Sequence, residues 1–345
     1  MLAELLLQEL QSKYSIGEIK RIEKLTGGYW NSVFRLETNQ EHFVLRISHP
    51  STTFEAIAYE HRLMKEMHAY IKEVPLPLSI ESGGSILQYD KQLVSLFPFF
   101  NGQLADKSKE AVRINAAEML AKLHLSALEL AAIPQKPHFQ AIKDLNWEAN
   151  RMWDSVLLTE SFFEDSNWLA KQLDAGYSDA DTAAIKEINH YKKLIQMEKS
   201  VIQKWCLDLT ENGPNLLGGA IHGDYYRGNI LTTKEGKIIA LIDWDECCKE
   251  WFVYELARSV WEFCIDEKSG QLSRSHAQKF INSYKRAGGP LSESEAPLIV
   301  PFIRYVRLIE ILFDLQQGLS GESWDPTYLV ENLTGLITLK DEPVL

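Results

Sequence analysis

Asp224, Asn229 and Asp243 carry the most legible chemistry of this sequence; they lie in the run AIHGDYYRGNILTTKEGKIIALIDWDE. Asn229-Ile230-Leu231 opens one β-rich segment, Thr233 to Gly236 can turn, and Lys237–Ile242 returns as a second. An antiparallel hairpin centred near Gly236 places Asn229 and Asp243 at one end, with Asp224 on the loop that enters it. Two carboxylates and a carboxamide are thereby gathered by spacing alone. Asp243 also follows the apolar run Ile238–Ile242, an expensive place for a charge without a partner. Hard oxygen donors without His or Cys suit Mg²⁺, which keeps waters and phosphate oxygens among its ligands. Taken singly, Asp224 and Asn229 are also ordinary turn formers and Asp243 an ordinary strand-end cap. The order and spacing of the three are what point to chemistry.

The catalytic loop of protein kinases uses an Asp to accept the substrate hydroxyl proton, an Asn five positions later on Mg²⁺, and a further metal-binding Asp downstream. Asp224-x-x-x-x-Asn229 has that spacing, His222 stands where the kinase loop has its His, and Asp243 can fill the later role. The run resembles the signature of the aminoglycoside phosphotransferase and choline kinase superfamily, of which a homoserine-kinase type is one branch. The resemblance extends over roughly residues 20 to 335. It implies an α+β, bilobal protein-kinase-like fold, with a small β-rich lobe carrying one helix and a larger helical lobe carrying the catalytic hairpin. It further implies that Asp224 is the catalytic base and that Asn229 and Asp243 hold Mg²⁺ on the phosphates of ATP. The acceptor would be a hydroxyl of a small molecule: an aminoglycoside, an amino alcohol, homoserine or a sugar derivative. A protein Ser/Thr kinase and a nucleotide-binding pseudokinase scaffold are the competing readings. The sequence departs from the family pattern after Asp243, where Lys249-Glu250-Trp251-Phe252 and Glu255 replace the usual Gly/Pro-containing loop and second Asp.

Three features of the first hundred residues fit a nucleotide site. Gly27-Gly28, within Leu25–Asn31, lies between two β-rich runs where a kinase-like lobe carries its phosphate-covering loop, and glycine permits close backbone approach. Ile57, Glu60, Met64, Met67 and Ile71 recur at helical spacing, so Glu60 falls inside an apolar stripe and needs a cation. The run Phe43–Ile47 offers Arg46 where kinases have a Lys; the pair would reach the ATP phosphates or serve as a structural ion pair. Phe97, Phe99 and Phe100, around Pro98, fit the connection between lobes. Their rings could stack on adenine, and a backbone donor must come from Phe99 or Phe100 because Pro98 has no N–H.

The elements that must position these residues follow from periodicity. β-rich runs are expected at Ile19–Lys24, Ser32–Glu37, His42–Ile47, Ser85–Tyr89 and Gln92–Phe97. A helix is expected from about Thr53 to Ile71, opened by a capping box of Thr52 and Glu55. Leu2, Leu5, Leu6 and Leu10 give an amphipathic N-terminal helix without the basic region of a signal peptide. Beyond Asn101-Gly102 long helical patterns cover 106–130, 143–175, 180–208, 250–265, 272–287 and 292–317. The expected division is an ATP-binding lobe over 1–100 and a catalytic, substrate-binding helical lobe over 101–345, and ligands favour clefts between such lobes.

Composition excludes other classes. At 345 residues, 45% hydrophobic and 24% charged, the chain can bury a substantial core. A net charge of −12 argues against a nucleic-acid partner. The apolar stretch Leu298–Leu315 is broken by Pro301, Arg304, Arg307 and Glu310, so no membrane span is expected. Cys206, Cys247, Cys248 and Cys264 have no CxxC or metal spacing and are expected as reduced thiols in a cytoplasmic protein. Asp245, Glu246, Glu250, Glu262, Asp266 and Glu267, with Trp147, Trp153, Trp168, Trp251 and Trp261, would suit a cationic acceptor; an acidic surface and a tryptophan-filled core account for them equally.

Overall fold

Alternation of branched and polar residues in the first hundred positions produces a five-stranded antiparallel sheet. In the computed structural model, which describes residues 4–25, 31–130, 134–137, 178–266, 268–319 and 326–340, the strands are β1 (Ile19–Lys24), β2 (Ser32–Thr38), β3 (His42–Ile47), β4 (Leu87–Tyr89) and β5 (Gln92–Pro98), in the order β1-β2-β3-β5-β4. Helix α1 (Glu4–Lys13) turns Leu6 and Leu10 into a core shared with Leu36, Leu45, Val94 and Leu96. Each such buried aliphatic side chain is worth about 1.5–3 kcal/mol. Pro98 ends β5 opposite Phe43, a strand end where its missing donor costs little.

Helix α2 (Phe54–His68) begins one residue later than the capping box suggests. Thr53 has extended backbone (φ −88°, ψ 157°) and its hydroxyl accepts from the Ala56 N–H, whereas the Thr52 N–H closes a turn onto the His49 carbonyl. A short strand, β6 (Gln103–Leu104), follows, and then α3 (Glu110–Glu129); the next described strand is β7 (Gly218–Ile221).

The chain forms two compact units, residues 1–139 with 220–249, and residues 140–219 with 250–345. In the first unit β6 pairs with β8 (Ile230–Thr232), which pairs with β9 (Ile238–Leu241). The Leu241 N–H reaches the Glu73 carbonyl, so this hairpin is bonded both to β6 and to the segment after α2.

The second unit is helical: α4 (Asp179–His190), α5 (Lys192–Asn212), α6 (Phe252–Cys264), α7 (Arg274–Arg286), α8 (Ile299–Leu319) and α9 (Pro326–Thr338). Its core joins Ile188, Ile195 and Ile202 to Leu308, Ile311, Leu312, Leu333 and Leu336. The pattern over 180–208 divides at Tyr191, whose ψ of 8° leaves the helical region. The expected 292–317 helix starts only at Ile299, after a 3₁₀ turn, Ala296–Leu298, that contains Pro297. Similarly, α6 starts at Phe252 because β10 (Cys248–Trp251) occupies the first residues of that pattern. The helix expected at 143–175 lies outside the described residues. No helix among the described residues is long and apolar enough to cross a membrane.

Candidate active site

The loop from His222 to Asn229 is fixed by hydrogen bonds at both ends. His222 is buried, and its Nε2 lies 3.0 Å from the Ile242 carbonyl on the far side of the hairpin. The neighbouring Gly223 has φ +86°, and a Cβ there would sit 2.2 Å from the Glu246 carbonyl oxygen. Only glycine satisfies both conditions. The hydroxyl of Tyr225 donates to the Ala116 carbonyl on α3 at 2.8 Å, tying the loop down one residue beyond Asp224.

Asn229 ends a 3₁₀ turn and leads directly into β8. Its Nδ2 donates to the Asp224 Oδ2 at 2.8 Å and to the Asp224 carbonyl at 3.0 Å. With the amide nitrogen committed to acceptors, the Asn229 Oδ1 is the side-chain atom that could meet a cation. Across the hairpin, the Ile242 N–H donates to the Asn229 carbonyl at 2.9 Å, which sets Asp243 beside Asn229 as the spacing implies.

Asp243 has φ +63°, a left-handed backbone that Asp tolerates better than most residues. Burial pushes its carboxyl up to about 8, the Asp245 charge adds to this, and Arg46 works against it; Glu60 and Asp224 also raise it. The five side chains are therefore close enough to act on one another, with more negative than positive charge among them. An oxygen-only donor set with that surplus fits a hard divalent cation. Among the described residues no three His, Cys, Asp or Glu side chains form a full metal cage. Mg²⁺, which keeps phosphate oxygens and waters among its ligands, is such a hard divalent cation.

Arg46 and Glu60 meet as the sequence pattern requires. Nη1 and Nη2 of Arg46 donate to Oε1 and Oε2 of Glu60 at 2.7 and 2.8 Å, and both side chains are buried. Burial opposes the guanidinium charge, but the Glu60 carboxylate outweighs it, and Asp245 and Asp243 add to the effect, so the group is held above its ordinary value. Its Nε has no hydrogen-bond partner. Glu60 occupies the bidentate face of the fork, so a phosphate contact would use Nε or the outer hydrogens.

The aromatic connection is partly engaged. Phe97 is buried at the end of β5, with the Arg46 guanidinium carbon 5.2 Å from its ring centre and His61 edge-on at 5.7 Å. The Phe99 N–H donates to the His42 carbonyl at 3.2 Å, and Arg35 lies 4.4 Å over its ring. Of the two backbone donors named from sequence, this leaves Phe100. Gly27 and Gly28 lie outside the described residues.

The structure joins Asn31, read from sequence only as the end of the glycine segment, to Asp245, read only as one of the acidic residues suiting a cationic acceptor. The Asn31 Nδ2 donates to the Asp245 Oδ2 at 3.0 Å, and the Lys136 ammonium meets the Asp245 carbonyl. The signals were faint: an Asn three positions after the glycine pair, and an Asp two positions beyond Asp243.

Several of the acidic and aromatic residues read as suiting a cationic acceptor also have structural partners. Trp261 is fully buried with the Arg307 guanidinium carbon 5.1 Å from its ring centre, and Arg307 pairs with Glu262. Glu250 is buried and accepts from the Trp251 N–H; Asp266 accepts the N–H groups of Lys268 and Ser269. Trp147, Trp153, Trp168 and Glu267 lie outside the described residues. The four cysteines are buried thiols.

An Asp–Asn loop feeding a hairpin that ends in Asp, with a strand Arg paired to a helix Glu, belongs to the protein-kinase-like class of fold and site. A family model for the phosphotransferase enzyme family matches residues 21–290, and the chain belongs to that family. It is 23% identical over 288 residues to the homoserine kinase of Polaromonas naphthalenivorans (strain CJ2), covering 83% of this chain and 78% of the relative. It is 24% identical over 292 residues to the homoserine kinase of Cupriavidus pinatubonensis (strain JMP 134 / LMG 1197), covering 82% and 77%.

Two solved structures share the fold. One is spectinomycin phosphotransferase in complex with ADP and spectinomycin, with a TM-score of 0.72, 15% identity and coverage of 99% of this chain and 98% of that one. The other is a microcompartment-associated aminopropanol kinase, with a TM-score of 0.66, 15% identity and coverage of 98% and 97%. The chain is thus a phosphotransferase of a family of small-molecule kinases.

Proposed function

We propose that this protein transfers the γ-phosphoryl group of ATP to a hydroxyl of a small molecule. The observation that carries the reading is the fixed loop in which Asn229 hydrogen-bonds Asp224 while Asp243 stands at the facing end of the hairpin. In this reading Asp224 orients the acceptor hydroxyl and takes its proton as the oxygen forms its bond to the γ-phosphorus. The bond from that phosphorus to the β–γ bridging oxygen breaks, and ADP leaves. Asn229 donates to Asp224 and keeps its carboxylate in one orientation. Mg²⁺ entering with the nucleotide would be held by Asn229 and Asp243 and would neutralise charge on the phosphates. Arg46, kept charged by Glu60, would contribute a further cation toward the phosphates. Phe97 and Phe100, with Phe99, would border the adenine, and Phe100 would supply the backbone donor.

Similarity to proteins named homoserine kinase and aminopropanol kinase supports an acceptor that carries both an amine and a hydroxyl. A substrate of that kind, and dependence on ATP and Mg²⁺, would suit a cytoplasmic protein. A panel of small alcohols, amino alcohols and hydroxy amino acids, assayed for ADP release with MgATP, tests the proposal, with the Asp243→Ala variant as blank. Acceptor-dependent ADP release by the wild type alone is expected. Binding of MgATP with no release across the panel would favour a nucleotide-binding scaffold.

A further inference from the structure

Asn31 has the geometry of a clamp. It sits one residue before β2, three positions after Gly28 in sequence. Its Nδ2 donates to the Asp245 Oδ2 at 3.0 Å, and its Oδ1 accepts the His49 N–H at 3.2 Å. Neither bond tolerates the reverse orientation of the amide, since a carboxylate only accepts and a backbone N–H only donates. One side chain therefore joins two segments, Asp245 and His49, that lie 196 positions apart in sequence.

The segments it joins matter. Val33, two residues after Asn31, pairs with Arg46 in the sheet, so His49 and Asn31 lie at the same sheet end, just past the Arg46 strand. Asp245 lies two residues beyond Asp243 and is the strongest charged neighbour acting on it. A charge-assisted hydrogen bond from Asn31 fixes where that carboxylate points. A backbone bond or a packed aliphatic residue could hold the sheet end; only a carboxamide can hold it and a carboxylate together.

We propose that Asn31 is a positioning residue that acts through Asp245, holding the metal-binding loop in register with the Arg46 strand so that it receives a metal-bound nucleotide. This deepens the phosphotransfer reading and rests on it. The amide is not asked to touch substrate.

Calorimetric titration of the full-length protein with ATP, in excess Mg²⁺ and in EDTA, tests it with four variants: Asn31→Ala, Asn31→Asp, Asp245→Ala and the Asn31→Ala/Asp245→Ala double. Asn31→Ala should weaken MgATP binding by about tenfold, the scale of one hydrogen bond to a charged group, and change metal-free ATP binding by less than about twofold. Asn31→Asp keeps the acceptor for His49 but faces Asp245 with a like charge, so it should bind MgATP more weakly than Asn31→Ala. The double variant should bind no more weakly than Asp245→Ala, because the clamp acts only through that carboxylate. Equal losses with and without metal, or additive losses in the double variant, would overturn the proposal and leave the phosphotransfer reading standing. Wild-type protein that binds ATP in neither condition would overturn both.

Discussion

At the scale of single residues, the Arg46–Glu60 pair admits two accounts with different consequences. Each group is buried, so removing one partner strands the other's charge. Glu60→Ala should lower stability toward urea by about 3–5 kcal/mol, whereas replacing both by apolar residues of similar volume, Arg46→Met with Glu60→Leu, should cost far less. The double variant is therefore the informative one. If Arg46 also serves the phosphates, this folded protein binds MgATP at least tenfold more weakly than the wild type. Unchanged affinity would make the pair structural only. The pair was legible in sequence because an acidic residue whose neighbours at i−3, i+4 and i+7 are apolar is costly unless matched. The clamp from Asn31 was not, since no local pattern relates residues 214 positions apart.

At the scale of elements, α2 holds a second buried polar group with a measurable signature. His61 lies on the helix next to Glu60, nearly fully buried, with Nδ1 2.7 Å from the Ser85 hydroxyl and no partner on Nε2. Burial, followed by the charge of Arg46, pushes its imidazole down to about 3. The unfolded chain takes up this proton below about 6.5 and the folded protein does not, so stability falls with decreasing pH by about 1.4 kcal/mol per unit from 6.5 toward 3. His61→Gln should flatten that limb, read as urea midpoints at pH 7, 6 and 5. Parallel curves for the two proteins would refute the assignment.

Element positions were read well where one signal dominated. β1 and β3 follow alternation to the residue, and the facing of Asn229 and Asp243 follows from the turn at Gly236. Where two signals competed, the boundary moved. Thr53 took the cap from Thr52, since its hydroxyl accepts the Ala56 N–H while Thr52 closes a turn onto His49, and Pro297 delayed α8 to Ile299.

At the scale of the molecule, every described residue assigned to phosphoryl transfer belongs to the discontinuous unit of 1–139 with 220–249. Composition and periodicity separated strand-rich from helix-rich sequence. They could not reveal that the hairpin is bonded to β6 and Glu73, because those bonds depend on three-dimensional register. The central claim remains that Asp224 is the base of an ATP-dependent phosphoryl transfer. It is tested most directly by measuring turnover and MgATP affinity together for Asp224→Ala, with whichever acceptor the ADP-release panel identifies. The account predicts that turnover falls by about 10²–10⁴, while MgATP binds within about threefold of the wild type. Turnover close to wild type in that variant would contradict it.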